Sequence, residues 1–318
     1  MLGDILTPDL FASALRMATP LALAAIGGTL CERSGVVNIA LEGIMLIGAF
    51  AAAAAGLATG SGWLGLLAAI AAGVAVSAIH AFSSINLKSD QVVSGTAINI
   101  LALGVTGFLM ELLYGHPGTT DPVPQMLRPV FHFPNGGEGV LGTVWTWINS
   151  IVFSHTPIVY LAIAVAVIAQ WAMYRTRWGL RLRALGEHPR AADTVGINVS
   201  RGRWIAVMMS GALGGMAGAN LVLEQVGSFT ENMTNGRGFI ALAANIFGRW
   251  TPVGSYLASL LFGFADALQI KLQLFRAEID IPPQFFLMLP YVLTVVVLAG
   301  VIGRAVSPAA VGVPYEKG

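Results

Sequence analysis

Apart from one segment, the chain is a succession of apolar runs about twenty residues long, and that pattern limits its fold more than any motif does. Runs of this kind belong in a bilayer, where every backbone polar group must find its partner inside the protein. The sequence therefore predicts an all-α polytopic membrane protein, a single transmembrane domain over 1–318. Composition agrees: 56% of the 318 residues are hydrophobic and 10% charged, against about a quarter charged in an average soluble domain.

The exception is 175–203. It holds seven of the 17 Lys and Arg (Arg175, Arg177, Arg181, Arg183, Arg190, Arg201 and Arg203) against two acids, Glu187 and Asp193. Basic loops face the cytoplasm, so this one is expected inside. Its middle, 186–197, reads as a short helix. Pro189 fits an early turn, Ala191, Ala192 and Val195 form one apolar face, and Gly196 stops it. A loop with its own amphipathic helix suits docking; a merely solvated basic loop is the alternative.

About eight spans follow from the remaining runs: 9–30, 36–57, 63–85, 91–114, 155–174, 204–223, 255–272 and 284–303. Thr7 and Pro8 suit the start of the first, which Pro20, Gly27 and Gly28 weaken internally. The apolar piece 238–250 is too short to cross alone and reads as a half-helix. The interruption at 116–150 reads as an external loop with some interfacial helix around Trp145 and Trp147. Placing 175–203 inside puts Arg33, Lys88, Arg304 and Lys317 inside as well. The loops then left outside hold only Arg128 and Arg276 clear of helix ends, so the orientation is self-consistent, with the N-terminus outside.

Several function classes are excluded. Basic residues confined to one loop, without interleaved aromatics, do not suit nucleic acid. The single cysteine, Cys31, can form neither an internal disulfide nor a Cys-rich metal site, and packing is its expected role. No positive region precedes the first span, which argues against a cleaved signal peptide. A phosphate-binding loop would need glycines where Phe82 and Leu87 precede Lys88, and His80 and His155 lie on different spans without a nucleophile motif. The chain is not expected to be an enzyme, and no metal is expected.

Polar residues within the runs are the candidates for a substrate pathway. Asn38 and Glu42, at i and i+4, are expected to share a face of the second span, where a carboxylate at the bilayer centre costs about 3 kcal/mol and should face the bundle. A packing role beside Arg33 is the alternative for Glu42. Asn220 and Glu224 form a second such pair, Asp266, Gln269 and Gln273 a stripe, and Asn99 and Glu111 lie on the fourth span. Interfacial solvation is the competing reading for Glu111 and Glu224. Asn245 sits in the middle of the half-helix, the kind of break that transporters use to hold polar substrates. With no Arg cluster in the membrane, this inventory suits a neutral, hydrogen-bonding solute.

The basic loop, with SGALGGMAGA after it at 210–219, resembles the cytoplasmic coupling loop and Gly-rich helix of ABC-importer permeases, in the branch serving sugars, nucleosides and branched-chain amino acids. Gly186, Pro189, Ala191, Ala192, Gly196 and Ile197 carry the match in the loop. ERSGVVNIALEGIMLIGAF (32–50), GRGFIALAANIFGRWTPVGS (236–255) and PYVLTVVVLAG (290–300) extend the resemblance over nearly the whole chain, nearest to the nucleoside-type permeases. It implies a permease subunit forming half of an import pathway for a small polar solute, a nucleoside. Asn38, Glu42, Asn99, Asn220, Asn245 and Asp266 are the pathway candidates. A simple sugar or riboflavin is the alternative within the class, and an ion-coupled secondary transporter using Glu42 or Asp266 the rival outside it. The resemblance further implies a separate ATPase docked on Gly186, Glu187, Pro189, Ala191, Ala192 and Gly196. That ATPase would hold ATP and Mg, leaving no cofactor on this chain. A second permease subunit of different sequence, an external substrate-binding protein and a bacterial inner-membrane location complete the expectation. Related permeases commonly have one further helix before the span at Asp9, and none is expected in this sequence.

Overall fold

The computed structural model describes residues 6–123, 129–131, 133, 134, 136, 139–274, 285, 288, 292, 295, 296 and 306–317. Among them there is no β-strand; an isolated bridge joins Thr119 and Thr230. Among the described residues seven helices are long and apolar enough to cross a membrane. These are α1 (Pro8–Glu32), α2 (Leu41–Thr59), α3 (Gly62–Ala81), α4 (Gln91–Tyr114), α6 (Pro157–Arg175), α9 (Val199–Asn220) and α11 (Pro252–Leu274). Shorter pieces are α5 (Val140–Ile148), α7 (Arg177–Glu187), α8 (Pro189–Thr194) and α10 (Arg237–Phe247). Of the expected span at 284–303 only 285, 288, 292, 295 and 296 are among the described residues, and the span as a whole lies outside them.

Burial sorts these helices. About three quarters of the apolar windows of α1 and α9 are buried, 72% and 78%, against 28% for α4 and α6, so the first two form the centre of the bundle. Small residues make that centre possible. A Cβ on Gly218 would run into the carbonyl oxygen of Met45, so α9 lies with its backbone against α2. At Gly73 and Gly211 the same close approach brings α3 onto α9. Cys31 is buried at one end of this centre against Val36, Ala81 and Val207.

Three helices end in a wide i→i+5 turn: Phe82–Asn86 after α3, Asn149–Phe153 after α5, and Leu221–Val226 after α9. Thr7 does precede α1, although its hydroxyl accepts from Lys271 Nζ at 2.8 Å rather than capping the helix.

The connections fall at two ends. At one, Thr120 N–H donates to Phe229 O (2.9 Å) and Val123 N–H to Gly227 O (2.7 Å), joining the loops after α4 and α9. At the other, α7 and α8 meet Arg33, Lys88 and the tail 306–317. Ala310 N–H donates to Gly186 O (2.8 Å), Arg203 Nη1 to Val313 O (3.0 Å), and Lys88 pairs with Glu316 (2.9 Å). Arg33, Lys88 and the tail with Lys317 thus share an end with the basic loop as expected, while Arg304 and 275–282 lie outside the described residues.

Three boundaries and one helix face differ from expectation. The helix expected over 186–197 is two, because the residue before a proline is pushed out of the helical region; His188, before Pro189, has φ −140° and ψ 75°. The apolar face assigned to Ala191, Ala192 and Val195 is divided. Ala192 is buried against Leu185 and Val199, whereas Ala191 is exposed and Val195 is 74% exposed. The sixth span starts at Val199, with the Asn198 side chain accepting from Arg201 N–H (2.9 Å), so Arg201 and Arg203 belong to a helix and Arg203 is buried. The second span starts at Leu41 rather than 36, since the backbone of 36–40 is held in an irregular conformation by side chains from elsewhere. Gln91 Oε1 accepts from Val37 N–H (2.7 Å), His80 Nε2 lies 2.9 Å from Val37 O, and Asn99 Nδ2 donates to Ile39 O (3.0 Å). Non-helical backbone inside a membrane protein is tolerated where the protein supplies such partners.

Candidate translocation site

The half-helix is the organising element. α10 has 11 residues, about 16 Å of rise, roughly half a hydrocarbon core. Asn232, Asn235 and Gly236 precede it with φ of 56°, 42° and 86°. Asn and Gly are the residues that adopt such left-handed backbone most readily, so the chain turns sharply into the helix here. At the far end, Arg249 and Trp250 turn it into α11, also at positive φ (54° and 51°). This places the half-helix at 237–247 rather than 238–250.

Glu42 closes the N-terminus of α10. Its two carboxylate oxygens accept from Gly236 N–H at 2.8 Å and Gly238 N–H at 2.6 Å, matching an anion to the positive end of the helix dipole. Gly238 allows the approach, since any Cβ there would meet the backbone of Glu42. Because α2 begins at Leu41, Asn38 and Glu42 do not share a helical face as expected. Nor does Glu42 pair with Arg33, which meets Glu187 instead (3.6 Å).

Beside this cap lies a cleft of about 300 Å³ between α2, α4 and α10. Thr96, Asn99, Asn232, Thr234 and Asn235 supply its polar groups, Phe239 and Ile100 its apolar walls. Glu42 is its one charged lining residue among the described residues. Phe239 is 49% exposed, and the Thr234 hydroxyl is buried with no hydrogen-bond partner among the described residues. Polar groups on an outer face of a membrane bundle are costly against lipid. This face therefore suits water, a solute or another protein.

The other expected pathway residues are distributed around the bundle. Asn99 reaches the cleft but is bound on both sides, accepting from Gly43 N–H (2.8 Å) while donating to Ile39 O. Asn38 donates to Ser210 Oγ (2.9 Å), and its Oδ1 has no partner among the described residues. Asn220 donates to Glu224, whose carboxylate also accepts from Ile158 N–H (3.1 Å) at the start of α6; that pair holds two helices together. Asp266 is half-buried on α11, within electrostatic reach of Arg237. The structure thus brings only Glu42 and Asn99 to one cleft, and Asn38, Asn220, Asn245 and Asp266 lie elsewhere.

Asn245 belongs to a buried network that sequence reasoning missed. Its Nδ2 donates to Glu32 Oε2 (3.0 Å), its Oδ1 accepts from the Thr29 hydroxyl (2.7 Å), and Ser255 Oγ lies 2.8 Å from Thr29 Oγ1. The Trp250 indole N–H also donates to Glu32. Glu32 and Arg33 lie between two apolar runs, where a charged pair suits a polar turn, yet Glu32 is 6% exposed. The adjacent acid and base between two apolar runs were the available signal. The second set missed, Asn232, Thr234 and Asn235, had a plainer one: a polar cluster directly before an apolar piece too short to cross.

At the basic loop, Gly186 is buried against the backbone of Arg33, and the Glu187 carboxylate accepts from Ala309 N–H (3.2 Å) while facing Arg33. Pro189 opens α8 and Gly196 ends it at φ 81°. Among the described residues no cluster of His, Cys, Asp and Glu is grouped to hold a metal.

Comparison with known proteins converges on one group. Residues 10–298 match the family described as branched-chain amino acid transport system / permease component. The guanosine ABC transporter permease protein NupQ of Bacillus subtilis is 47% identical over 307 residues, covering 95% of this chain and 94% of its own. The nucleoside ABC transporter permease protein NupC of Lactococcus lactis is 39% identical over 315 residues, 96% of each chain. The putative glucose ABC transporter permease protein TsgC13 of Haloferax volcanii is 35% identical over 314 residues, 92% of this chain and 91% of its own. The seven apolar helices, the half-helix and these matches together make the chain a multi-pass ABC transporter permease subunit of the branched-chain amino acid transport system / permease component family.

Proposed function

We propose that this permease subunit carries a neutral nucleoside, with guanosine as the first substrate to test, through the cleft between α2, α4 and α10. The observation that carries the reading is Glu42. In transporters with broken helices, a half-helix N-terminus at mid-membrane offers its amides to an anionic group of the substrate. Here that place is filled by a carboxylate of the protein itself, bound through both oxygens. An amino-acid substrate would bring a second carboxylate to an occupied site. A nucleoside brings a flat ring for the half-exposed Phe239 and hydrogen-bonding groups for Asn232, Asn235 and Thr96. The names of the relatives at 47% and 39% identity point the same way.

Import draws on partners. A separate ABC ATPase, holding ATP and Mg, docks on 186–197, with the exposed Ala191 and Val195 facing it. A second permease of different sequence completes the pathway across the cleft face, and an external binding protein delivers the solute. The location is the bacterial inner membrane, with the 175–203 loop in the cytoplasm. A simple sugar is the second reading, favoured by the glucose-transport name of the relative at 35% identity and equally compatible with a neutral cleft. A thermal-shift screen of the cognate external binding protein against nucleosides, pentoses, glucose, riboflavin and leucine separates the readings. Stabilisation by guanosine supports the proposal, stabilisation by sugars alone moves it to the second reading, and stabilisation by leucine alone ends both.

A further inference from the structure

We propose that Arg33, assisted by Glu32, is the positioning residue that carries movement of the ATPase-docking segment to the half-helix α10. The inference rests on the reading that 186–197 docks the ATPase. It follows from three contacts in series.

The docking segment sits directly on the turn that ends α1. A Cβ on Gly186 would collide with Arg33 O and come within 3.2 Å of Gly35 N, so a displacement of Gly186 cannot be absorbed by a gap. Arg33 then grips the turn between α10 and α11, its Nε donating to Trp250 O at 2.7 Å and its Nη2 to Arg249 O at 3.3 Å. Both acceptor residues have positive φ, which for a residue as bulky as Trp persists only where the surroundings impose it. Glu32 supplies the third contact, accepting from the Trp250 indole and from Asn245 in the last turn of α10. Two adjacent residues, Glu32 at the end of α1 and Arg33 just after it, thus hold the C-terminal end of α10 and the turn that follows it, while Glu42 holds its N-terminal end beside the cleft.

The grip needs a guanidinium. One planar group reaches two carbonyl oxygens and still faces Glu187, a geometry that the single ammonium of lysine does not reproduce. The Glu187 ion pair is the expendable part, since Glu187 is 44% exposed and exposed pairs contribute little.

The test uses the whole complex in nanodiscs, reading ATP hydrolysis with and without guanosine-loaded binding protein. Arg33→Lys should keep the ATPase bound and keep basal hydrolysis, because the Arg33 side chain is only 16% exposed and lies behind the docking surface. Its solute-stimulated hydrolysis should fall roughly tenfold, the size of an ordinary coupling between sites. Glu187→Gln should leave stimulation within about twofold. Wild-type stimulation in Arg33→Lys overturns the proposal, and so does a loss in Glu187→Gln as large as that in Arg33→Lys. Should Arg33→Lys fail to assemble, Trp250→Phe is read instead, since it retains Arg33 and the docking seat and deletes the indole bond to Glu32. The relay requires the same loss of stimulation with basal hydrolysis kept, and unchanged stimulation overturns it. A wild-type complex that binds no ATPase would contradict the docking reading itself.

Discussion

Replacing Glu42 tests the half-helix cap directly. Its carboxylate holds two N–H groups of α10, at 2.8 and 2.6 Å. A hydrogen bond to a charged group contributes about 1.5–3 kcal/mol, and an anion at a partly buried helix N-terminus up to about 2 kcal/mol. These overlap, because the same N–H groups form the positive end of the dipole, so Glu42→Ala should cost about 3–5 kcal/mol. Glu42→Gln should cost roughly half as much, since its amide oxygen satisfies one N–H without charge. Against a total stability of about 5–15 kcal/mol, the alanine change is large. The assay is thermal unfolding of the purified complex, with guanosine uptake measured in parallel. Glu42→Ala should melt well below wild type, Glu42→Gln between the two, and uptake should fall in that order. The alanine variant also leaves two amides open to the cleft, so acetate or leucine should now inhibit residual uptake. An alanine variant with wild-type melting and uptake, indifferent to carboxylates, would show that Glu42 neither caps α10 nor occupies its anion site.

Val195→Glu should leave the subunit's melting unchanged and reduce ATPase co-purification by about a hundredfold or more, the effect of burying an unpaired carboxylate at an interface; intact co-purification would remove 186–197 as the docking site. Ala192→Glu should instead destabilise the subunit itself by several kcal/mol, because Ala192 packs inward on Leu185 and Val199; wild-type melting would refute that placement. Asn245→Leu should lower thermal stability by about 3–5 kcal/mol by leaving Glu32 and Thr29 short of partners, measured by unfolding of the purified complex. His155, expected at the start of a span, instead precedes α6 and is buried there, and burial pushes its pKa down, which favours the neutral form in the fold. The stability it contributes is present above the ordinary value of 6.5 and is lost as pH falls from there toward the depressed folded value. The melting temperature should therefore fall on acidification through that window, and His155→Leu should flatten the slope.

The spans were legible because a twenty-residue apolar run has one outcome in a bilayer, and α10 because its run is too short for that outcome. The beginning of α2 was not. Val36, Val37, Asn38, Ile39 and Ala40 read locally as the first turn of a helix, and Gln91, His80 and Asn99, 43 to 60 residues on, hold that backbone open. Tertiary hydrogen bonds overrode local propensity there, and with it went the expected Asn38 and Glu42 face. The break at His188 was legible, since a proline at 189 disfavours helix in the residue before it. For the candidate site, sequence identified Glu42 and Asn99 as intramembrane polar groups but could not give their roles. A carboxylate facing solute and one capping a distant helix have the same sequence, and the deciding amides belong to Gly236 and Gly238. Glu32 escaped notice because a charged pair between spans normally marks water, whereas here Asn245 and Trp250 satisfy the acid in the interior.

The most direct test of the account is uptake of labelled guanosine into proteoliposomes holding the complete complex, with ATP supplied on the 175–203 side and a panel of competitors outside. The account predicts accumulation that requires ATP, survives an ionophore, is competed by other neutral nucleosides and is indifferent to leucine. Uptake abolished by the ionophore and unaffected by ATP depletion, or leucine transported in place of guanosine, would contradict it.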